Sequence, residues 1–185
     1  MTIDLQLDSR VLIQGIDNPL ALAAIGRMQT YGPKIAGIVS AGQGGQELGD
    51  LPMFDLVEQA QSVLGPIETS LIFVSAYQVL DAALEAIAAG IPQLIVITRG
   101  VPPLDMIRLL RQASISNTLV LGTGSAGIII PDRLLLGIYQ PQSEFDCRNC
   151  ERIKSSKFGS IDRHSYRQRS AGWLLLSPVA RVASV

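Results

Sequence analysis

The sequence predicts an α/β fold with a doubly wound, mainly parallel sheet of about five or more strands and helices on both faces. Short apolar runs alternate with helix-like segments from residue 10 to residue 142. The runs are continuously apolar, whereas a sheet with one solvated face shows alternating residues. Regular strand–helix alternation with continuous runs is typical of parallel sheets covered on both sides.

Each predicted strand is an apolar run that ends near a glycine or a polar loop. The strands, in chain order, are Arg10–Gly15, Ile35–Val39, Ser70–Val74, Gln93–Thr98 and Asn117–Leu121, with two shorter ones at Ile128–Ile130 and Leu134–Ile138. Such runs of four to eight residues have the length of buried strands.

The predicted helices carry recognisable end signals. They span Pro19–Tyr31, Asp55–Val63, Gln78–Ala89 and Pro103–Ala113. Pro19 suits a first helical turn, Asp55 is a candidate N-cap, and Gly90 is a good residue to follow a helix end. Ligands bind such sheets at the carboxyl ends of the strands, so the loops of interest are 15–19, 40–45, 75–78, 98–102 and 122–127.

The charge balance divides the chain near residue 142. Residues 1–142 hold 7 Lys/Arg and 12 Asp/Glu, a net charge of −5, whereas residues 143–185 hold 8 and 4, a net charge of +4. We therefore expect one domain over 1–142 and a basic, irregular tail over 143–185, with Arg163, Arg167 and Arg169 solvated. The acidic main part argues against nucleic-acid binding. The Trp173–Leu176 patch is expected to pack on its own domain or on a second copy.

Composition also limits the compartment. No run of about 18 apolar residues suggests a membrane span, and the polar, acidic stretch Met1–Asp8 does not resemble a signal peptide. The two cysteines, Cys147 and Cys150, provide no disulfide framework, which favours a reducing cytoplasm. They could form half a zinc site or a redox pair, but no second pair accompanies them, so an incidental or structural pair is favoured.

Seven short motifs occur in an order and spacing that resemble a known family. They are Val11–Gly15, Tyr31–Lys34, Gly37–Gly45, Leu51–Phe54, Leu84–Gly90, Ile97–Met106 and Gly122–Ile129. Over roughly residues 5–140 the chain resembles the N-terminal domain of the succinyl-CoA synthetase (succinate–CoA ligase) α subunit. The resemblance implies a Rossmann-like domain that holds the nucleotide part of coenzyme A (CoA). In that family a second domain carries a phosphorylated histidine, and a β subunit binds nucleotide.

The chain departs from the family in the loops expected to hold CoA phosphates. The first loop, usually rich in Gly, Ser and Thr, reads Ile16 to Ala21 (IDNPLA) here. Pro19 has no N–H to offer a phosphate, and Asp17 could instead cap the helix itself. Gln43 replaces a lysine of the second loop, and Arg99 replaces a glutamate. Arg99 could pair with Asp17 or supply the missing positive charge.

The resemblance implies a set of ligand contacts and no catalytic or metal-binding residue. The expected contacts with CoA or a related nucleotide are Gly15, Asp17, Asn18, Pro19, Leu20, Gln43, Ser75, Tyr77, Ile97, Thr98 and Arg99. The single histidine, His164, lies in the tail without a matching motif, so the chain is not expected to run the phosphohistidine reaction alone. A ligase β-type subunit or a second copy of the chain is the expected partner.

Two alternatives remain at the level of sequence. A non-catalytic scaffold or regulatory subunit that has lost CoA is favoured by Asp17, Pro19 and Gln43. A nicotinamide-dependent enzyme is suggested by Gly122–Gly127, which fits G-x-G-x-x-G, but the motif follows the fifth strand and precedes an extended segment. No carboxylate near Val39–Ala41 is available for a ribose hydroxyl.

Overall fold

A computed structural model describes residues 9–31, 34–130 and 134–139. Its strands are β1 (Arg10–Gln14), β2 (Lys34–Val39), β3 (Glu47–Leu48), β4 (Leu51–Phe54), β5 (Thr69–Ile72), β6 (Gln93–Val96), β7 (Leu119–Leu121), β8 (Gly127–Ile130) and β9 (Leu134–Gly137). Its helices are α1 (Pro19–Tyr31), α2 (Val57–Leu64), α3 (Val79–Ala88) and α4 (Pro103–Ile115). The predicted tail, with Cys147, Cys150, His164 and Trp173–Leu176, lies outside the described residues.

The strands form one seven-stranded sheet in the order β3-β4-β2-β1-β5-β6-β7. Every neighbouring pair is parallel except β3 and β4. Numbered in chain order, the parallel strands lie in the order 3-2-1-4-5-6, which is that of a Rossmann-type sheet. The doubly wound fold predicted from the sequence is thus confirmed.

Helices cover both faces of this sheet, as the side chains of β1 show. Val11 and Ile13 belong to a core with α1 and the β8–β9 hairpin, while Leu12 belongs to a second core with α2, α3 and α4. All three are fully buried. Successive residues of a strand point to opposite faces, so a continuous apolar run is what this two-sided burial requires.

Two strands were not predicted. β3 and β4 form a short antiparallel pair at the edge of the sheet, with Glu47 opposite Pro52 and Leu48 opposite Leu51. A proline within a strand-like run argues against a strand, and β4 alternates between buried and half-buried residues. The sequence motif Leu51–Phe54 was recognised only for its family likeness.

The predicted boundaries were wrong at two helices. Asp55 does not cap α2, which begins at Val57; the N–H of Val57 donates instead to Oε1 of Glu85 on α3, at 2.7 Å. Helix α4 continues to Ile115, two residues beyond its predicted end. Asn117 then takes a left-handed φ of 55°, so β7 begins at Leu119 and not at Asn117. Asparagine tolerates this conformation at helix ends. No helix within the described parts of the chain is long and apolar enough to cross a membrane.

Candidate functional site

A cleft opens at the carboxyl edge of the sheet, where the strand order reverses between β1 and β5. It has a volume of about 290 Å³ and is lined by Gly15, Asp17, Asn18, Phe73, Val74, Ser75, Gln78 and Thr98. The loops after β1, β5 and β6 therefore meet in one place. In open α/β sheets such a crevice is the usual position of a ligand.

Gly15 forms the floor of the cleft and can hardly be replaced. Its φ is +86°, a value that favours glycine, and an added Cβ would lie 2.9 Å from the backbone nitrogen of Val74. Its N–H donates to the carbonyl oxygen of Val39 at 2.9 Å, which ties β1 to β2. The absence of a side chain lets the first loop approach the loop after β5.

Asn18, and not Asp17, caps helix α1. Oδ1 of Asn18 accepts the N–H of Leu20 at 3.0 Å, and the Asn18 carbonyl accepts the N–H of Ala21 at 2.8 Å. Because Pro19 lacks an N–H, the start of α1 has few free donors for a phosphate. Asp17 is exposed and has no hydrogen bond or ion pair with another described residue.

Side-chain hydroxyl groups stabilise the other walls of the cleft. Oγ of Ser75 donates to Oε1 of Gln78 at 2.7 Å, at the start of α3. Oγ1 of Thr98 donates to the carbonyl oxygen of Val74 at 2.6 Å and so joins the loops after β5 and β6. These bonds hold the cleft walls in place without any ligand.

A buried polar group lies directly beneath the cleft. Gln14 is 2% exposed, and its Nε2 donates to the carbonyl oxygen of Ala82 at 3.1 Å. Its Oε1 accepts the hydroxyl of Ser70 at 2.8 Å, so β1, β5 and α3 are joined by one side chain. The sequence signal for this group is a glutamine at the end of an apolar run, which no motif distinguishes from a surface residue.

The glycine-rich loop between β2 and β3, residues 40–46, binds a carboxylate of the protein itself. Oδ1 of Asp55 accepts the N–H groups of Gly42 and Gly44 at 2.8 and 2.9 Å. A Cβ on Gly44 would clash with the Asp55 carboxylate, which would then have to move out of its present position. Successive N–H groups of this kind form an anion site, and here Asp55 already fills it.

Arg99 follows Thr98 of the cleft lining in sequence and does not pair with Asp17, contrary to one of the sequence-based alternatives. The ion pair found among the described residues joins Arg108 to Asp105 at 3.8 Å. Arg99 is exposed, and its Cγ covers Gly124, where an added Cβ would lie 3.2 Å away. Its guanidinium has no hydrogen-bond partner within the described residues.

The structure brings together part of the predicted contact set. Gly15, Asp17, Asn18, Ser75 and Thr98 line the cleft. The other predicted residues do not: Pro19 and Leu20 are exposed on the first turn of α1, Tyr77 is 82% exposed, Ile97 is buried in the core, and Gln43 lies on the loop held by Asp55. Phe73, Val74 and Gln78 also line the cleft but are not among the predicted contacts. Gln78 lies within the predicted loop 75–78, whereas Phe73 and Val74 fall in a predicted strand, and nothing in their spacing marks them.

The G-x-G-x-x-G motif lies in an unsuitable structural context for a dinucleotide. Gly127 begins β8, a strand, whereas the motif requires a helix at this point. The N–H of Gly124 donates to the carbonyl of Thr98 at 2.9 Å, and that of Ser125 to the carbonyl of Val96 at 3.2 Å. These glycines build a turn that packs along the end of β6.

Comparison with known proteins identifies the family. The family model described as "CoA binding domain" matches residues 6–100, about half of the chain. The chain belongs to this family. Residues 6–100 form a CoA-binding domain similar to the N-terminal part of succinate–CoA ligase α subunits, as the sequence motifs predicted.

The chain is similar in sequence to ligase subunits and in fold to a citrate lyase. The ADP-forming succinate–CoA ligase α subunit of Staphylococcus aureus is 34% identical over 138 residues, and α subunit 1 of Archaeoglobus fulgidus is 32% identical over 136. These alignments cover 75% and 74% of this chain but only 45% and 46% of the relatives. ATP citrate lyase of Methanothrix soehngenii, solved with citrate and coenzyme A, shares the fold with a TM-score of 0.60 and 20% identity, over 71% of this chain and 23% of the lyase.

Proposed function

We propose that this chain binds the nucleotide part of CoA in the cleft at the carboxyl edge of the sheet. The observation that carries the proposal is the position of the cleft, at the point of strand-order reversal in a domain of the CoA-binding family. A volume of about 290 Å³ lies at the lower end of small-molecule sites. It suits part of a CoA molecule, with the remainder extending out of the cleft.

The lining supports a nucleotide more than a purely apolar ligand. Hydroxyl and amide side chains from Ser75, Gln78, Asn18 and Thr98 line the cleft, and Phe73 adds an aromatic ring. Ligand sites of this type combine apolar surface with a few fixed polar groups that orient the ligand. Ser75 and Thr98 are held in place by their own hydrogen bonds, so the cleft needs little rearrangement to accept a ligand.

Calorimetric titration of the full chain with CoA tests the proposal. We expect saturable binding below millimolar CoA, and Ser75→Tyr, which fills the cleft, weakens it at least about tenfold. Ser62→Tyr is the matched control, because Ser62 is an exposed residue of α2 away from the cleft, and its CoA affinity stays within twofold. If wild type gives no heat and no thermal shift at millimolar CoA, a non-catalytic scaffold becomes the better description.

A ligase reaction and its partner belong to this proposal as well. The curated relatives are named as α subunits, and this chain spans less than half of their length. We infer that any acid–CoA ligation by this chain takes place in a complex with a ligase β-type subunit, in the cytoplasm. Analytical ultracentrifugation of the chain mixed with a β-type subunit from the same organism tests the complex. Sedimentation as two separate species would refute it, and cell fractionation tests the compartment.

A further inference from the structure

The carboxyl edge of the sheet contains very little positive charge. The described cations Arg10 and Lys34 begin β1 and β2, at the opposite edge. Arg27 lies in the third turn of α1, where its Nε donates to the carbonyl of Ala23, and Arg108 pairs with Asp105. Among the described loops that follow the parallel strands, Arg99 is the single Lys or Arg.

Backbone donors are occupied or absent at three positions of this edge. The start of α1 is capped by Asn18 and contains Pro19, and the glycine-rich loop holds Asp55. Helix α4 begins at Pro103 and is preceded by Pro102, and neither proline carries an N–H. Three positions that could bind an anion through main-chain N–H groups are therefore depleted by the chain's own residues.

Arg99 is placed to compensate for both deficits. It follows Thr98, which lines the cleft, and its aliphatic stem is supported by Gly124. Its guanidinium is exposed and has no partner among the described residues, so no existing bond must break when an anion binds. A guanidinium presents paired N–H donors that match two phosphate oxygens.

We propose that Arg99 binds a phosphate of the nucleotide and supplies the side-chain charge that neutralises it. This inference rests on the proposed function, since it names the group within the same site that recognises the ligand's negative charge. It also assigns an orientation: the phosphates lie toward the loop after β6 and away from the Asp55-filled loop after β2. Repulsion from the exposed carboxylate of Asp17 favours the same orientation.

Isothermal titration of CoA into the full chain and its variants tests this role. Arg99→Gln weakens CoA binding about tenfold, which is the effect of losing a charge-assisted contact. Arg99→Lys retains the positive charge but lacks the paired N–H donors of the guanidinium, and its CoA affinity falls only about threefold. Arg111→Gln is the matched control, because Arg111 is an exposed arginine further along α4 and its removal changes the net charge equally. Its CoA affinity stays within twofold.

Two further readouts separate this role from a general charge effect. The CoA affinity of wild type falls more steeply with KCl concentration than that of Arg99→Gln. The reason is that salt screens the contact between Arg99 and the phosphate in wild type, and the variant lacks this contact. Dephospho-CoA, which lacks the 3′-phosphate, shows which phosphate Arg99 contacts. If wild type still binds dephospho-CoA about tenfold more tightly than Arg99→Gln does, Arg99 contacts the diphosphate. If the two proteins bind it equally, Arg99 contacts the 3′-phosphate. Circular dichroism verifies that the exposed substitutions leave the fold intact.

The outcomes distinguish this inference from the proposed function. If wild type binds CoA and Arg99→Gln binds it equally well at low salt, the role of Arg99 is refuted while CoA binding stands. If Arg111→Gln weakens binding as much as Arg99→Gln, the effect is non-specific and the inference is also refuted. If wild type binds neither CoA nor dephospho-CoA, both proposals fail together.

Discussion

Two polar regions at the same edge of the sheet differ in whether the protein satisfies its own groups. In the glycine-rich loop 40–46, the N–H groups of Gly42 and Gly44 already bind the Asp55 carboxylate. By contrast, the charged ends of Asp17, which lines the cleft, and of Arg99, which follows the lining residue Thr98, have no partner among the described residues. Glycine-rich composition indicates that an anion approaches the backbone closely, but that anion can be a side chain of the same protein. Groups without a partner are therefore the better guide to a ligand.

The largest expected effect is that of Gly15→Ala at the floor of the cleft. The new Cβ would lie 2.7 Å from Cγ1 and 2.9 Å from the backbone nitrogen of Val74, at a φ of +86°. We expect the free energy of unfolding to fall by about 3 kcal/mol, from left-handed strain and overpacking together. Urea denaturation measures the loss, and CoA binding is lost with the shape of the cleft.

Gly45→Ala in the glycine-rich loop is the matched control for this effect. Gly45 has a φ of +80°, close to that of Gly15, but an added Cβ would have no atom within 4 Å. We expect a loss of only about 1 kcal/mol, which is that of backbone strain alone. Equal losses for the two variants would show that close packing at Gly15 is not what distinguishes the cleft.

The next effect is that of Asp55→Ala, which opens the glycine-rich loop. The loop N–H groups then bind water, and we expect a loss of about 1.5 kcal/mol together with faster amide hydrogen exchange at Gly42 and Gly44. Asp55→Asn keeps an oxygen acceptor and should restore part of both. Asp50→Ala on the β3–β4 turn is the control, since Asp50 makes no hydrogen bond to a described residue. Unchanged exchange in Asp55→Ala would contradict the filled anion site.

The fold could be predicted from the sequence because a strand that is buried on both faces of the sheet forms a continuous apolar run. The central strands are apolar at most positions, and the buried polar exceptions Gln14 and Ser70 bond to each other. Pro19 and Gly90 mark helix ends by backbone geometry alone. The β3–β4 pair at the edge of the sheet shows no such run. Pro52 weakens the strand pattern, and the pair is too short for its alternation to be recognised.

The cleft could be predicted only as a set of loops. Strand order indicates which loops converge, and Gly15 and Thr98 were identified on that basis. The partner of each polar group depends on three-dimensional contacts between distant residues. Asp55 was expected to cap α2, but it binds the loop 40–46, and Glu85 from α3 takes its place. Phe73 and Val74 line the cleft through their position at the end of β5, and no motif marks that position.

The smallest expected effect tests the charge of the cleft from the opposite side. Asp17 is an exposed carboxylate in the lining, where a bound phosphate would be repelled. Asp17→Asn removes that repulsion, and we expect CoA affinity to rise about threefold at low salt, with a smaller gain at physiological ionic strength. Asp50→Asn makes the same change of net charge away from the cleft and should leave the affinity unchanged. A weaker CoA affinity in Asp17→Asn would mean that the Asp17 carboxylate accepts a hydrogen bond from the ligand. The carboxylate would then be part of the ligand site, and the contrast between the loop filled by Asp55 and a cleft that repels phosphate at Asp17 would be wrong.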